Sequence, residues 1–303
     1  MLGFFKKKWL QNKVIENKHR RTKEGFRYQD TPNVSLIIQS FNQKNNIKPI
    51  ISALRKGNAE EIIVIDDGSL DNSYKKWLKH LTRPNDFLIH ANDLGEVRTC
   101  DRAMRMAKGE FVCLLQDDDL PPDNAVWLNA ALYLFRTFPK LLLLSGYQGV
   151  KIASSNPYGS SHIQNTPQDN RIYQEPLFKE VESGIPFMFC MTAYRAPLLL
   201  RRQEFLEIGG LDQTYAPFMC DDAEASLRAW QNGYQVGFYP AEFKKGVSIG
   251  GTRLFNREMI PRWDLVNQTK MYAKYGKDLQ NGKIQALVDH ANEQLQSISL
   301  AHE

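Results

Sequence analysis

The chain has 303 residues, which suffices for one large domain or two ordinary ones. Hydrophobic residues make up 42% of the chain and charged residues 24%, a balance that is typical of globular proteins and argues against wholesale disorder. The sequence has no run of about 18 or more apolar residues, so it predicts no membrane-spanning helix.

The start of the chain and its cysteines indicate the compartment. The first residues lack both the long apolar stretch and the small-residue cleavage site of a secretory signal peptide, so we expect no such peptide. The four cysteines are too few for a disulfide scaffold and too widely spaced for a zinc pattern; they are Cys100, Cys113, Cys190 and Cys220. A reducing, cytoplasmic location is therefore expected.

The net charge of +5 is concentrated in a basic N-terminal arm, residues 1–30. Its first 28 residues carry nine Lys or Arg and two Glu, so the rest of the chain is slightly acidic and a nucleic-acid partner is not expected. The arm also holds Phe5 and Trp9, and basic plus aromatic residues suit an anionic membrane surface. We predict peripheral contact with the cytoplasmic membrane face through residues 1–28, with a solvated arm or an arm packed on the body as alternatives.

Short apolar runs alternate with amphipathic segments from residue 34 onward. The runs predict strands at 34–38, 61–65, 87–90, 111–115 and 141–144. The segments between them predict helices ending near residue 54, at 71–81, at 95–107 and from the Pro121-Pro122 pair to about 138. Apolar strands alternating with helices are typical of an α/β fold with a mostly parallel sheet and helices on both faces.

The second half of the chain is less regular. Residues 147–185 have no period and predict a long loop. Further elements are predicted as regular structure at 187–194, a helix at 198–208, a helix at 221–232, a strand at 236–239 and two helices within 262–302 that break near Gly276 and Gly282.

Polar or acidic clusters follow three of the predicted strands, at 39–42, 66–69 and 116–119. Ligands of parallel α/β sheets bind outside the carboxyl ends of the strands. We therefore expect these three clusters to meet at one edge of the sheet.

The third cluster contains Asp117, Asp118 and Asp119 in succession. Three carboxylates within about 10 Å repel one another unless a positive charge lies between them, and oxygen ligands suit Mg²⁺ or Mn²⁺. The alternative is a solvated acidic turn that caps the next helix.

Two other groups are ambiguous when taken alone. Asp and Gly are common in turns that follow a strand, so the turn from Asp66 to Ser69 does not by itself indicate a function. Arg98, Arg102 and Arg105 lie in one predicted helix, where they would either recognise a phosphate or form a solvated face.

Four motifs together resemble the family-2 glycosyltransferases of the GT-A fold. In chain order they read VSLIIQSFN, IIVIDDGSLDNS, AKGEFVCLLQDDDLPP and IGGLD…CDDAEASLRAWQNGY. The resemblance covers about residues 33–240. It implies a GT-A type, Rossmann-like domain over 31–255, followed by a C-terminal helical extension over 256–303.

The same resemblance implies an activity. The chain would be a metal-dependent, inverting glycosyltransferase of hexosyltransferase type that uses Mn²⁺ or Mg²⁺. It would move a sugar from a nucleotide-diphosphate donor, with a UDP-sugar favoured, to a hydroxyl of a saccharide or lipid-linked acceptor, as in polysaccharide biosynthesis. The alternatives are a catalytically silent nucleotide-sugar-binding module, or a metal-dependent nucleotidyltransferase or phosphohydrolase.

Roles for single residues follow from the motif positions. The resemblance implies nucleotide-sugar contacts from Gln39, Phe41, Asp67, Arg98 and Asp117, metal contacts from Asp118 and Asp119, and a catalytic base at Asp222. Asp221 and Glu224 are the alternatives for the base, which would accept the proton of the acceptor hydroxyl. Arg253 and Arg257, in a Gly-rich stretch, would either close over the diphosphate like a lid or have only a structural role.

The chain departs from the family pattern in four places. Gln39 to Asn42 replace the common Pro-Thr-Tyr-Asn, and Thr99 to Asp101 replace Ala-Arg-Asn, so the family arginine is missing at its place. Gln116 stands where the first Asp of Asp-x-Asp-Asp is usual, and residues 244–253 contain no His. These departures leave open which arginine contacts the diphosphate and how many side chains bind the metal.

Overall fold

The computed structural model describes residues 33–57, 59–154, 171–172, 179–180, 184–195, 197–246, 250–252 and 256–300. The predicted basic arm, most of the predicted 147–185 loop and Arg253 lie outside the described residues. From Asn33 onward the chain clusters as one compact unit. None of the helices in the described part of the chain is long and apolar enough to cross a membrane.

The described residues form fourteen strands, eight α-helices and a 3-10 helix at Gln213–Tyr215. The strands are β1 (Val34–Ser40), β2 (Glu61–Asp67), β3 (Asp86–Ala91), β4 (Phe111–Gln116), β5 (Asp119–Leu120), β6 (Leu141–Ser145), β7 (Gln148–Lys151), β8 (Arg171–Ile172), β9 (Lys179–Glu180), β10 (Pro186–Phe189), β11 (Thr192–Tyr194), β12 (Leu198–Arg201), β13 (Gln235–Phe238) and β14 (Lys244–Lys245). The helices are α1 (Lys44–Lys56), α2 (Ser73–His80), α3 (Glu96–Met106), α4 (Val126–Thr137), α5 (Arg202–Glu207), α6 (Asp221–Gln231), α7 (Ile260–Gln280) and α8 (Lys283–Leu300).

Nine of the described strands form the main sheet, in the order β3-β2-β1-β4-β12-β6-β13-β10-β9. Only β12 and β10 run against the other seven, because each pairs antiparallel with both of its neighbours. The sheet is therefore mostly parallel, as the alternation of strands and helices predicted. Two small sheets, β11-β7-β8 and β14-β5, lie outside it.

The centre of the sheet is covered on both faces. β1 and β2 are buried at all seven positions, which an apolar strand achieves only when other elements pack on each side of the sheet. Helix α3 contacts β1 and β2, and α2 contacts β2 and β3. The predicted α/β fold with helices on both faces is confirmed.

Several predicted elements have different bounds or a different type. The predicted helix at 198–208 is wrong in its first half: Leu198–Arg201 forms β12, because this apolar run pairs with both β4 and β6. Helix α4 begins at Val126 and not at the Pro121-Pro122 pair. The Asn124 side chain accepts a hydrogen bond from the Val126 amide at 2.9 Å and fixes that start.

The C-terminal helices also differ from the prediction. Helix α7 passes through Gly276 without a break, and the chain turns only at Gly282, whose φ is +72°. Tyr275, next to Gly276, is fully buried, so packing holds this part of the helix. Asn292 of α8 bonds both the amide and the carbonyl of Phe189 at 2.9 Å, which fastens α8 to the sheet edge. The predicted boundary between residues 255 and 256 stays a prediction.

Candidate active site

The carboxyl ends of β1, β2 and β4 lie side by side. In the parallel register, Gln39 pairs with Gln116 of β4, and Ser40 pairs with Asp66 of β2. The three polar clusters predicted to share one edge of the sheet do so.

A cavity of about 520 Å³ opens at this edge and contains three of the predicted nucleotide-sugar residues: Phe41, Asp67 and Arg98. Asp67 is buried, and its two carboxylate oxygens accept hydrogen bonds from the Leu94 and Gly95 amides, each at 2.8 Å. Arg98 is exposed on the first turn of α3. We name this space the first cavity.

Gln39 lies beside the first cavity and not on its wall. It is buried, and its side-chain amide donates to the Thr252 hydroxyl at 3.2 Å. Thr252 does line the cavity, so Gln39 supports the wall from behind.

A close approach of two loops forms one wall of the first cavity. Gly95 has a φ of +76°, and a Cβ there would lie 2.6 Å from Cβ of Pro217. The Val97 amide donates to the Pro217 carbonyl at 3.1 Å. Only glycine satisfies both the backbone angle and the contact.

The acidic cluster is buried and held by backbone amides. Asp117, Asp118 and Asp119 are each at most 3% exposed. Asp117 accepts from the Phe41 amide at 2.7 Å, Asp118 from the Gly250 amide at 2.9 Å, and Asp119 from the Gln116 amide at 2.8 Å. Burial, and then the charges of Asp118 and Asp119, raise the pKa of Asp117 well above its usual range.

The geometry of the cluster fits a hard cation. One oxygen of Asp118 and one of Asp117 lie 3.1 and 3.3 Å from the place that a Cβ on Gly250 would take, so the two carboxylates converge on one small space. No group of three or more acidic, His or Cys side chains in the described residues is arranged to hold a metal. Sites for Mg²⁺ commonly use one or two carboxylates and complete the shell with substrate phosphates. The cluster matches that kind of site.

A second cavity of about 310 Å³ adjoins the first. Asp221 and Asp222, at the N-terminus of α6, line it together with Glu96 and Gln116. Gly95 and Pro217 line the first cavity, and the residues that follow them in the chain, Glu96 and Phe218, line the second. The two cavities therefore share a wall at these two places. The remaining wall of the second cavity is formed mainly by Ile152, Tyr194, Phe218, Asp264, Gln268, Met271 and Tyr272.

Arg195 lines the second cavity and contacts three of its acidic side chains. Its backbone amide and Nε donate to the two oxygens of Asp222 at 3.0 and 2.8 Å. Its Nη1 donates to Glu96 at 2.9 Å, and its Nη2 contacts Asp221. The Arg195 side chain is only 5% exposed. Arg195 could not be predicted from the sequence, because its spacing from the acidic residues follows no recognisable pattern.

Among the three carboxyls that contact Arg195, that of Asp221 has a raised pKa. One guanidinium faces three carboxylates, and burial is the main cause that raises the pKa of Asp221 to about 7. Arg195 acts against that shift, whereas Asp222 and Glu96 add to it. At neutral pH Asp221 is therefore partly protonated.

The remaining predicted residues line different cavities or neither cavity. Asp222 lines the second cavity and Asp67 the first, so they belong to adjoining spaces and not to one. Glu224 lies away from both cavities and is fully buried against Arg228, Lys274 and Tyr275. Arg102 is exposed and does not line either cavity, and Arg105 bonds Asp101 at 2.9 Å. Arg98 is thus the arginine of this helix that reaches the first cavity.

Comparison with known proteins identifies the family. Residues 35–199 match the family described as Glycosyl transferase family 2, so the chain belongs to that family. This confirms the resemblance to family-2 glycosyltransferases and the assignment of the chain to the glycosyltransferases; the matched residues contain nearly all of the first three motifs, and the fourth lies beyond them.

Relatives with assigned functions match over short segments. EpsH of Bacillus subtilis, which carries a provisional glycosyltransferase assignment, is 31% identical over 31% of this chain and 28% of its own length. The UDP-Glc:alpha-D-GlcNAc-diphosphoundecaprenol beta-1,3-glucosyltransferase WfgD of Escherichia coli is 28% identical over 33% of this chain and 41% of its own. The matched segments thus span less than half of either relative.

A solved structure shares the fold. The crystal structure of GalNAc-T7 with UDP, GalNAc and Mn²⁺ aligns with a TM-score of 0.58 and 14% identity, over 85% of this chain and 52% of that one. This likeness confirms the predicted GT-A type fold.

Proposed function

We propose that the chain transfers a hexosyl group from a UDP-sugar to a hydroxyl of a saccharide or lipid-linked acceptor, with inversion at the anomeric carbon. One observation carries the proposal: a cavity lined by Asp67 and Phe41 adjoins a second cavity lined by Asp222. The buried acidic cluster lies behind the first cavity, where Asp117 accepts a hydrogen bond from the Phe41 amide. The WfgD relative, whose name gives a UDP-sugar donor and a lipid diphosphate acceptor, supports this choice of substrates.

The donor would bind in the first cavity. Phe41 offers an aromatic ring to the base, and Asp67, held by two amides, offers oxygens to the base or ribose. Arg98 supplies a positive charge for the diphosphate. Arg257 and Arg253 would then close over it, a role that stays a prediction.

The acidic cluster would hold a divalent cation, Mn²⁺ or Mg²⁺, with Asp118 as one ligand. The motif position favours Asp119 as the second ligand, whereas the convergence of Asp117 and Asp118 favours Asp117. A bound cation there would stabilise the negative charge of the departing diphosphate. Asp117 orients the site, because its carboxylate accepts from the Phe41 amide and so ties the cluster to the wall of the first cavity. The choice between the two metals stays open.

The acceptor would bind in the second cavity with its hydroxyl against Asp222. Arg195 holds that carboxylate from two directions and fixes its orientation. Asp222 accepts the hydroxyl proton while the oxygen attacks the anomeric carbon on the face opposite the leaving diphosphate. One carboxylate and in-line attack give inversion. Asp221, which contacts the same arginine and has its pKa raised to about 7, is the alternative for the base.

A direct test screens UDP-, GDP- and dTDP-sugars with Mn²⁺ by thermal shift, followed by product analysis with saccharide and lipid-linked acceptors. We expect a UDP-sugar to stabilise the chain and to release UDP together with a glycosylated product. Release of pyrophosphate or phosphate without sugar transfer would favour the nucleotidyltransferase or phosphohydrolase. Stabilisation without turnover on any acceptor would favour the silent binding module.

A further inference from the structure

Helices α1 and α2 carry positively charged side chains and no acidic ones; Asp71, just before α2, is an acidic residue next to them. The two helices contain seven Lys or Arg and no Asp or Glu. Beyond its first 28 residues the chain as a whole is slightly acidic, so the surface of the two helices stands out against the body that bears it. Such asymmetry indicates an anionic partner.

The lysines of the two helices share one surface. The two helices contact each other, and the Lys44 amide at the start of α1 donates to Asp71, just before α2, at 3.0 Å. Burial, and then the charges of Lys76, Lys79 and Lys48, lower the pKa of His80. Lysines of both helices therefore lie near His80, so they belong to one surface.

Most of this charge is not neutralised locally. Arg55 pairs with Asp86, and Lys56 pairs with Asp123 at 2.7 Å. For the remaining five lysines, no acidic side chain lies within 4 Å among the described residues; they are Lys44, Lys48, Lys75, Lys76 and Lys79. All of these except Lys76, which is half-buried, are exposed.

Exposed leucines accompany the lysines. Leu78 of α2 is 59% exposed, and Leu70, just before α2, is 91% exposed. A nucleic-acid surface typically uses arginines and stacking aromatic rings. Of the two aromatic residues Tyr74 and Trp77 in α2, Trp77 is buried and Tyr74 packs edge-on against His90. Lysines around exposed leucines suit a bilayer instead, where the charges meet anionic headgroups and the leucines enter the acyl boundary.

The surface also lies close to the candidate active site. Helices α1 and α2 follow the carboxyl ends of β1 and β2, so Lys44, Leu70 and Lys75 lie at the same edge of the sheet as the first cavity. A bilayer on this surface would lie beside the opening of the site.

We propose that the α1–α2 surface docks on an anionic lipid bilayer. This docking is separate from the predicted contact of residues 1–28 and does not depend on the donor or acceptor chemistry. It would hold the enzyme at a membrane and bring a lipid-linked acceptor within reach.

The test measures sedimentation of the full chain with phosphatidylcholine vesicles that do or do not contain phosphatidylglycerol. The docking variant replaces Lys44, Lys48, Lys75 and Lys79 with Gln. The control variant replaces Lys140, Lys151, Lys277 and Lys283, which are exposed elsewhere on the described surface. Both variants lose the same charge, and melting curves verify that both fold.

We expect the docking variant to lose about tenfold or more in partitioning onto phosphatidylglycerol vesicles, and the control variant to lose much less. We also expect L70S/L78S to weaken the binding that survives raised salt. Equal losses in the two lysine variants, or unchanged partitioning of the docking variant, would overturn the proposal. A 20-nucleotide single-stranded RNA provides the last arm: if the docking variant loses RNA binding but keeps vesicle binding, the surface binds nucleic acid and the proposal fails.

Discussion

Arg195 holds Asp222 by two donors at once, its backbone amide at 3.0 Å and its Nε at 2.8 Å. Because both donors belong to one residue, the carboxylate has a single orientation in the second cavity. The same guanidinium contacts Glu96 and Asp221, so one buried charge organises three carboxylates. A residue that touches no reacting atom thereby positions the proposed base.

We expect R195K to lower the transfer rate by at least about 100-fold while donor affinity changes little. A lysine ammonium cannot reproduce the planar fork that reaches three carboxylates. Removing one partner of a buried ion group also destabilises a protein by about 3–5 kcal/mol, so thermal denaturation must accompany the assay. R136K, on an exposed site, is the control. Normal transfer by a folded R195K enzyme would contradict the positioning role.

If R195K does not fold, E96Q is the milder variant. It keeps the contacts of Arg195 with Asp221 and Asp222 and removes one negative charge. We expect it to fold and to shift the pH dependence of transfer to lower pH, because Glu96 contributes to the raised pKa of Asp221. A pH profile identical to that of the wild type would argue against coupling within this group.

The raised pKa of Asp221 predicts how stability depends on pH. The carboxyl has a reference pKa of 3.8 when unfolded and about 7 in the folded protein. Its contribution to the free energy of unfolding is therefore fully present below about pH 3.8 and is lost as the pH rises through about 7. In urea denaturation at pH 5, 6, 7 and 8, D221N should lose less stability across the series than the wild type. D289N, exposed on α8, should follow the wild type; parallel curves for D221N and the wild type would refute the prediction.

Glu224 is expected to matter for stability and not for the proton transfer. It is fully buried, and Tyr275 of α7 donates to it at 2.7 Å, as does Lys274 at 2.8 Å. E224Q should lower the free energy of unfolding by about 3–5 kcal/mol, because it leaves Arg228 short of its partner. Donor affinity, measured by calorimetry, should stay within about twofold. E258Q, on an exposed site, is the control. If the E224Q enzyme is stable but does not transfer sugar, Glu224 becomes a candidate for the base again.

The contact of Gly95 with Pro217 can be tested with a matched pair of glycines. Gly95 and Gly233 have similar φ values, +76° and +80°, but a Cβ on Gly233 would meet no atom within 4 Å. Both alanine variants incur backbone strain of about 1–3 kcal/mol. Only G95A should also displace the wall of the first cavity and lower donor affinity by about tenfold or more. Equal donor affinity in G95A and G233A would show that this wall does not shape the donor site.

Much of the fold could be predicted from the sequence because β1, β2 and β4 each contain a mainly apolar run that leads into a polar cluster. Their parallel pairing then brings Gln39, Asp66 and Gln116 to one edge without further information. The strand β12 could not be predicted in this way. Its leucine run fits a helix equally well, and only pairing with β4 and β6 decides between the two.

The candidate site could be predicted only in part. Asp67 and Asp222 follow from the motif positions, but the structure assigns them to adjoining cavities that no local pattern separates. Arg195 and the α7 residues Asp264 and Gln268 reach the second cavity through tertiary packing alone. A buried group of three acids does require a buried cation, yet the sequence does not show which arginine provides it.

The most direct measurement compares D118N with D222N in two assays, UDP binding by calorimetry with and without Mn²⁺ and sugar transfer to the acceptor found in the screen. We predict that D118N loses the Mn²⁺-dependent part of UDP binding. D222N should bind UDP as the wild type does and transfer about 10²–10⁴-fold more slowly. Normal transfer by D222N, or UDP binding by D118N that still strengthens with Mn²⁺ as in the wild type, would contradict the account.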